Sequence, residues 1–184
     1  VWAEEPSATN TDMLWESEPK PFTFLIGTEV GSLTIGKENL LGVGASLGLL
    51  YAATSRWSLQ TQASQNFSAD SGGYLSTGFG GGFFYSVMGS ALRESNQLRQ
   101  SGKIVIQSLA GRKPEYFAVG FMVDQFMITG LTALYPSTGF SGAALYQKHL
   151  WSVPLNFILR TGAFTSPAGS ATAFFFGLRF PVEI

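Results

Sequence analysis

The chain has 184 residues, of which 45% are hydrophobic, 14% aromatic and only 12% charged. About 25% of the residues in a soluble domain are charged, so this chain carries roughly half the usual charge. With 11 basic and 12 acidic residues it is nearly neutral, which argues against electrostatic binding of nucleic acid. The absence of cysteine excludes disulfides and thiolate metal sites, and a single histidine, His149, excludes histidine-cluster metal sites.

The charges are concentrated in two segments. Residues 1–20 contain five acids and one base, so this N-terminal tail has a net charge of −4. Residues 89–114 contain five bases and one acid, a net charge of +4. Long stretches elsewhere, such as 71–92 and 125–147, have no charged residue. A soluble domain needs charge along most of its surface, so we expect much of this surface to face lipid.

Only α-helices and closed β-barrels cross membranes. A helix needs about 20 consecutive apolar residues, and only the stretch 39–55 approaches this, with Gly44 and Gly48 spaced as in GxxxG. The other charge-free stretches are interrupted by polar residues, proline and glycine. Helical spans are therefore the weaker alternative.

Residue type alternates with period two along much of the chain. From Leu41 to Tyr51 the odd positions are apolar, whereas the even positions are mostly glycine or serine. Similar alternation follows in 57–64 and 74–87. A transmembrane strand of about 9–11 residues has one face towards lipid and one towards the lumen. We therefore place the apolar series against lipid and the glycine, serine and glutamine series inside a narrow barrel, where small side chains fit.

The sequence thus predicts an all-β, transmembrane, antiparallel up-and-down barrel of eight strands. An even number is usual in single-chain bacterial barrels. A soluble barrel with an apolar interior is the alternative, but its outer surface would be almost without charge and prone to aggregate. The predicted strands are 21–31, 38–52, 56–67, 74–88, 115–127, 139–148, 152–164 and 171–182.

The connection 89–114 is long and basic, and we expect it on the periplasmic side together with the acidic tail 1–20. Residues 91–100 favour a helix, whereas Ile104-Val105-Ile106 would suit a strand. A strand at 103–110 would disturb the even count unless another were present, so a ten-stranded barrel is the alternative.

The last predicted strand carries a short motif. Gly177, Phe180 and Val182 follow the pattern glycine-x-x-hydrophobic-x-hydrophobic, which resembles the C-terminal insertion signal of bacterial outer-membrane barrels. Together with the strand pattern over 21–184, it makes the chain resemble small outer-membrane proteins of the OmpA and OmpX size class. The resemblance implies export with a cleaved signal peptide, insertion into the bacterial outer membrane, and contact with its lipid and lipopolysaccharide.

Charged residues at predicted inward positions form the first candidate site: Glu29, Asp124, Arg160 and Arg179. An unpaired charge in a confined interior is costly, so we expect these residues to meet in a salt-bridge cluster that closes the lumen. The alternative is that they line an ion path, although a barrel of eight strands is normally filled by side chains. Aromatic residues near strand ends are expected at the membrane interface: Tyr51, Trp57, Tyr85 and Trp151.

The tail and the basic connection form the second candidate site. Because they have opposite charge and are predicted on one side of the membrane, we expect them to pair with each other or with a shared periplasmic partner. The docking candidates are Met13, Leu14, Trp15, Arg93, Arg99, Lys103, Arg112 and Lys113.

These observations favour a non-catalytic barrel that anchors an envelope assembly, with a periplasmic or membrane protein as its partner. A narrow pore for ions or small solutes is the first alternative. A lipid A-modifying enzyme is the second, because deacylases of this size class use a histidine–serine pair with an acid. His149, however, is predicted at a periplasmic turn without the accompanying serine motif. The sequence predicts no cofactor and no metal site.

Overall fold

The structure is a computed structural model that describes residues 14–35, 38–68, 74–100, 103–107, 115–129, 134–151, 153–167 and 169–182. The strands in these ranges are β1 (Leu14–Lys20), β2 (Phe22–Ile35), β3 (Glu38–Ala52), β4 (Trp57–Ser68), β5 (Tyr74–Gly89), β6 (Arg93–Gln100), β7 (Lys103–Gln107), β8 (Tyr116–Thr129), β9 (Leu134–Leu150), β10 (Val153–Ser166) and β11 (Gly169–Val182). Within the described ranges, no helix is both long and apolar enough to cross a membrane.

Eight of the strands close into an antiparallel barrel in the order β10-β11-β2-β3-β4-β5-β8-β9. The predicted eight-stranded up-and-down barrel is confirmed, and each predicted strand corresponds to one strand of the barrel. The largest differences are at strand ends, since β2 continues to Ile35 and β9 begins at Leu134. We call the end of the barrel where β2 begins and β11 ends the proximal end, and the opposite end the distal end.

The ten-stranded alternative is wrong. The additional strands β6 and β7 do not enter the barrel but form a separate antiparallel sheet with β1, in the order β1-β6-β7. The helix expected within 91–100 is also wrong, because Arg93–Gln100 is a strand. This segment pairs with β1 on one side and β7 on the other, and such pairing outweighs a modest helix propensity.

The barrel strands are strongly staggered. Paired residues followed around the barrel from Leu25 lead back to β2 at Ile35, ten residues further along the same strand. Ten residues of stagger over eight strands correspond to a strand tilt of about 40°. Inward residues that lie at the same depth in the lumen are therefore not the residues that are paired with each other across neighbouring strands.

Burial alternates along the strands as the sequence predicted. The apolar series faces outwards and is exposed, as Leu47, Phe121 and Phe176 show, whereas the inward series is buried. The lumen is not lined by small residues alone, however, because large apolar side chains such as Phe84 and Phe164 are also buried inside it.

Small and large inward residues are matched across the β5–β8 pair. Phe84 of β5 faces Gly120 of β8, and the inward glycines of β5 face large side chains of β8 in the pairs Gly82–Met122, Gly80–Asp124 and Gly78–Phe126. A Cβ atom at any of these four glycines would collide with the backbone or the side chain of the partner strand. The glycine run of β5 thus provides the space into which β8 places its larger side chains.

Candidate functional site

A charge centre lies at mid-depth in the lumen. The Arg160 guanidinium donates from Nη2 to Oε2 of Glu29 at 2.9 Å and from Nη1 to Oδ1 of Asp124 at 2.8 Å. All three side chains are at most 2% exposed. The guanidinium also lies 4.8 Å from the ring centroid of Phe175, close enough for a cation–π contact.

Neutral side chains complete the hydrogen bonds of the two carboxylates. Gln62 Nε2 donates to Glu29 Oε2 at 2.7 Å, and Asn66 Nδ2 donates to Glu29 Oε1 at 3.3 Å. Ser141 Oγ donates to Asp124 Oδ2 at 2.5 Å. Buried ion pairs are tolerated when the remaining lone pairs are satisfied in this way, so the two carboxylates are held by both the arginine and neutral donors.

The fold brings together residues that are far apart in sequence. Glu29 lies on β2 and Arg160 on β10, with β11 between them. On β11 the residue paired with Glu29 is Gly177, so no side chain separates the carboxylate from the arginine there. On β8 the charge centre occupies a single inward position, since Met122 belongs to the apolar cluster on one side and Phe126 to the apolar cluster on the other.

Arg179, the fourth predicted member, has no hydrogen bond to this centre. Its side chain is fully buried, yet none of its three guanidinium nitrogens has a hydrogen-bond partner among the described residues. Its Nη1 lies 3.3 Å from the position that a Cβ would take at Gly48, and its Nε lies 3.7 Å from that position at Gly177, the residue paired with Glu29. Arg179 therefore interacts with Glu29 and Arg160 electrostatically and without a hydrogen bond.

Apolar clusters fill the lumen on both sides of the charge centre. The proximal cluster includes Leu25, Leu50, Phe84 and Leu145. Near the distal end, the ring centroid of Phe126 lies 5.1 Å from that of Phe164 and 5.4 Å from that of Phe175. The described residues contain no group of acids and histidine that could hold a metal ion. Packing of this kind suits a closed barrel rather than an open channel.

The four predicted interfacial aromatics lie at the proximal end. Trp57 and Tyr85 contact each other edge to face with centroids 5.1 Å apart, and Tyr51 packs against Phe22 at 4.9 Å. Trp151, in the connection between β9 and β10, is 90% exposed and has a positive φ of 49°. Tryptophan and tyrosine at this position are typical of the boundary between hydrocarbon and water.

The chain also covers the proximal mouth as it leaves β5. Ala91 is buried in the proximal apolar cluster, and Leu92 packs against that cluster. Where the connection returns to the barrel, Glu115 Oε1 lies 3.5 Å from Nδ1 of His149. His149 therefore links the start of β8 to the end of β9.

The sheet formed by β1, β6 and β7 contains most of the predicted docking residues. Leu14 and Trp15 lie on β1, Arg93 and Arg99 on β6, and Lys103 on β7, whereas Met13, Arg112 and Lys113 lie outside the described residues. Lys20 is paired with Arg93 and Leu14 with Arg99. Trp15 is paired with Leu98, which is paired with Ile106. The register therefore pairs one apolar residue from each of the three strands.

The predicted insertion motif lies on β11. Gly177 is inward and buried, whereas Phe180 and Val182 are outward and exposed. The last strand therefore presents its two motif hydrophobics on the face that we assign to lipid.

Comparison with solved structures finds small outer-membrane barrels. A crystal structure of neisserial surface protein A (NspA) matches with a TM-score of 0.52 and 7% identity over 89% of this chain and 98% of that one. Ail, the attachment invasion locus protein of Yersinia pestis, matches with a TM-score of 0.47 and 9% identity over 88% and 97% of the two chains. The chain has the fold of small eight-stranded outer-membrane barrels. At these identities the likeness to NspA establishes the fold alone. No protein-family model and no curated sequence matches the chain.

Sequence analysis missed several residues of the charge centre. Gln62 and Asn66 on β4 and Ser141 on β9 bond the two carboxylates. The alternation of β4 places Gln62 and Asn66 inside, and this is the feature of the sequence that could have identified them as candidates. Which carboxylate they reach depends on the stagger of the barrel, which the alternation does not reveal.

Proposed function

We propose that the protein is an integral component of the bacterial outer membrane whose barrel anchors a non-catalytic interaction sheet in the periplasm. The outward apolar series supports insertion in lipid, and the fold shared with NspA supports an outer-membrane setting. In this arrangement the proximal end, with its girdle of tryptophan and tyrosine, is the periplasmic end.

The observation that carries the proposal is the sheet β1-β6-β7 outside a closed and filled barrel. A barrel needs no such sheet in order to close. The register of this sheet pairs Trp15 with Leu98 and Leu98 with Ile106, and a single sheet buries its apolar residues only against a second layer. We infer that a periplasmic or membrane protein provides this layer.

The alternatives receive less support. A narrow pore would need a continuous path, whereas apolar clusters lie on both sides of the ion pairs in the described lumen. A lipid A-modifying enzyme would need a nucleophile beside its base, and the described partner of His149 is the carboxylate of Glu115. We therefore favour an interaction subunit over a pore or an enzyme.

The experiment is site-specific photo-crosslinking in the native membrane. A photo-reactive residue replaces Trp15 of the sheet in one variant and the outward Thr61 of the barrel in the other. We expect one defined protein adduct from position 15 and only lipid adducts from position 61. Mass photometry of the extracted complex should show a particle well above 20 kDa plus micelle, the size set by the 19.8 kDa chain.

A third variant tests whether the sheet itself is required for contact with the partner protein. Asn96→Pro places a proline in the middle of β6, where it interrupts the strand without touching the barrel. We expect the adduct from position 15 to disappear in this background. A solitary particle of monomer size, or an adduct that Asn96→Pro leaves unchanged, would contradict the proposal.

A further inference from the structure

A positively charged side chain is held at the proximal rim of the barrel, in the turn between β3 and β4. Nη1 of Arg56 donates to the carbonyl oxygen of Ser86 at 3.1 Å and to that of Val87 at 3.4 Å. The pairing register of β5 shifts between Ser86 and Met88, and a bulge of this kind leaves backbone groups outside the strand ladder. The barrel wall therefore fixes the direction of an arginine that is otherwise exposed.

The turn that carries Arg56 is itself fixed by hydrogen bonds. Oγ1 of Thr54 accepts from the backbone N–H of Arg56 at 3.2 Å and from that of Trp57 at 2.9 Å. The backbone N–H of Ser86 donates to the carbonyl oxygen of Arg56 at 2.7 Å. Because both its backbone and its side chain are held, Arg56 loses little conformational freedom when it binds a ligand.

The charge of Arg56 is not neutralised by a described side chain. No described carboxylate lies within ion-pair distance of it, and its Nη2 and Nε have no hydrogen-bond partner among the described residues. The rim across the barrel is different. There Lys148 precedes His149, whose Nδ1 lies 3.5 Å from the carboxylate of Glu115. The rim at Arg56 is therefore cationic, whereas the opposite rim has both charges.

Two further hydrogen-bond donors lie next to Arg56. Trp57 follows it in the chain, and the ring of Trp57 meets that of Tyr85 edge to face with centroids 5.1 Å apart. Both side chains are about half exposed on the outer face. Indole N–H and phenol O–H groups at a membrane boundary lie at the level of the lipid head groups. The rim thus presents one guanidinium and two neutral donors to that level.

The apolar outer wall has an indentation on the distal side of this rim. Gly81 faces outwards on β5 between the exposed rings of Phe79 and Phe83, and a Cβ there would meet nothing closer than 3.7 Å. Gly81 is paired with Thr61, which lies four residues after Trp57 on β4. Four residues of a strand span about 13 Å. An acyl chain attached to a head group at the rim therefore reaches the indentation.

We propose that this rim site binds one anionic phospholipid. Arg56 bonds the phosphate, since a guanidinium donates two parallel hydrogen bonds to phosphate oxygens. Trp57 and Tyr85 contact the head group, and an acyl chain lies over Gly81. The uncompensated charge favours a head group with net negative charge over a zwitterionic one. The inference rests on the proposed function for its orientation alone, in which the proximal end lies in the phospholipid leaflet and not in the lipopolysaccharide leaflet.

The test is native mass spectrometry of the protein after extraction from vesicles of phosphatidylcholine with a minor fraction of phosphatidylglycerol. We expect the wild type to retain one phosphatidylglycerol molecule. Arg56→Gln should lower this retention about fivefold or more, because one interfacial charge and its hydrogen bonds are lost. Lys148→Gln is the matched control, since it removes a base from the opposite rim, and it should leave retention unchanged.

A second pair of variants tests the indentation. Gly81→Phe fills it and should also lower retention of phosphatidylglycerol. Gly142→Phe is the matched control, because Gly142 is exposed on the outer face of β9 and a Cβ there would have a single neighbour at 4.0 Å. It should retain the lipid like the wild type. All variants must first show the electrophoretic shift of a folded barrel.

Three results would overturn the proposal. The first is equal retention of phosphatidylglycerol by the wild type and by Arg56→Gln, and the second is equal retention of phosphatidylcholine. The third is a preference for lipid A when it is added to the same vesicles, which would replace the phospholipid as the ligand. None of these measurements depends on the adduct from position 15. The lipid site and the proposed protein partner can therefore fail separately.

Discussion

Two arginines are buried in the same lumen but differ in their hydrogen bonds. Arg160 bonds two carboxylates, which are in turn held by amide and hydroxyl groups. Arg179 is equally buried, but its guanidinium has no hydrogen-bond partner among the described residues. Burial alone therefore does not determine how much a charged side chain contributes to stability.

The two arginines differ in the buried groups that would lose a partner if each arginine were removed. Removal of Arg160 would leave Glu29 and Asp124 buried without the cation that bonds them. Removal of Arg179 would break no described hydrogen bond and would relieve the desolvation of one charge and its repulsion by Arg160, but would also remove an attraction to Glu29. Stability should therefore depend more on Arg160 than on Arg179.

The largest expected effect is that of Arg160→Met. It should lower the free energy of unfolding by about 3–5 kcal/mol, because two buried carboxylates lose their partner. Urea unfolding in lipid vesicles, followed by tryptophan fluorescence, measures this change. The triple variant that also carries Glu29→Gln and Asp124→Asn should regain most of the loss. If the triple variant is no more stable than Arg160→Met, uncompensated charge is not the cause.

A steric change should disturb the same centre without removing a charge. Gly80→Ala places a Cβ where the carboxylate of Asp124 lies, so the side chain must shift away from Arg160. We expect a loss of about 1–3 kcal/mol. Gly81→Ala is the matched control, because the neighbouring glycine faces outwards and a Cβ there meets nothing closer than 3.7 Å. Equal losses in both variants would point to a general effect of alanine in β5.

Ser141→Ala tests one hydrogen bond of the charge centre. The hydroxyl donates to Asp124, and the carboxylate keeps its bond to Arg160 when the hydroxyl is lost. We expect a loss of about 1–2 kcal/mol in the same unfolding assay. In the Arg160→Met background the two losses should not add, because both act on one carboxylate. Strict additivity would argue against a connected network.

The smallest expected effect is that of Arg179→Met, which keeps the length of the side chain without its charge. The free energy of unfolding should change by less than about 1 kcal/mol, because no described hydrogen bond is lost, and the lost attraction to Glu29 is offset by relief of desolvation and of repulsion by Arg160. A loss as large as that of Arg160→Met would show that Arg179 has a strong partner, and would remove the contrast between the two arginines.

Sequence patterns predicted the barrel because each strand carries its own signal. A dozen residues that alternate with period two are enough to tell the two faces of β4 or β5 apart. A barrel in lipid needs two such different faces along every strand. The strands outside the barrel carry no such signal. Residues 93–100 favour a helix locally, and only their pairing with β1, more than 70 residues away, makes them a strand.

The sequence predicted that the four charged residues point inwards and meet in the lumen, but not which of them bond each other. Glu29 and Arg160 are 131 residues apart, and their meeting depends on the ten-residue stagger of the whole barrel. The same stagger places Arg179 between Gly48 and Gly177, within electrostatic reach of Glu29 but without a hydrogen bond to it. Alternation gives no information on stagger, so four inward charges could be predicted but not which of them form hydrogen bonds.

The matched side chains of β5 and β8 have a consequence for how the barrel is assembled. Most neighbouring strands of a hairpin barrel are aligned by the short turn that joins them. β5 and β8 are joined through β6 and β7, which lie outside the barrel, instead, so no turn can align them. If either strand slipped by two residues, Phe84 would meet Met122, or Gly82 would meet Gly120 and leave a hole. The matching sizes of their inward side chains thus fix the register of the two strands, so β6 and β7 could be replaced by another domain, provided that Ala91 and Leu92 are kept, without moving the barrel wall.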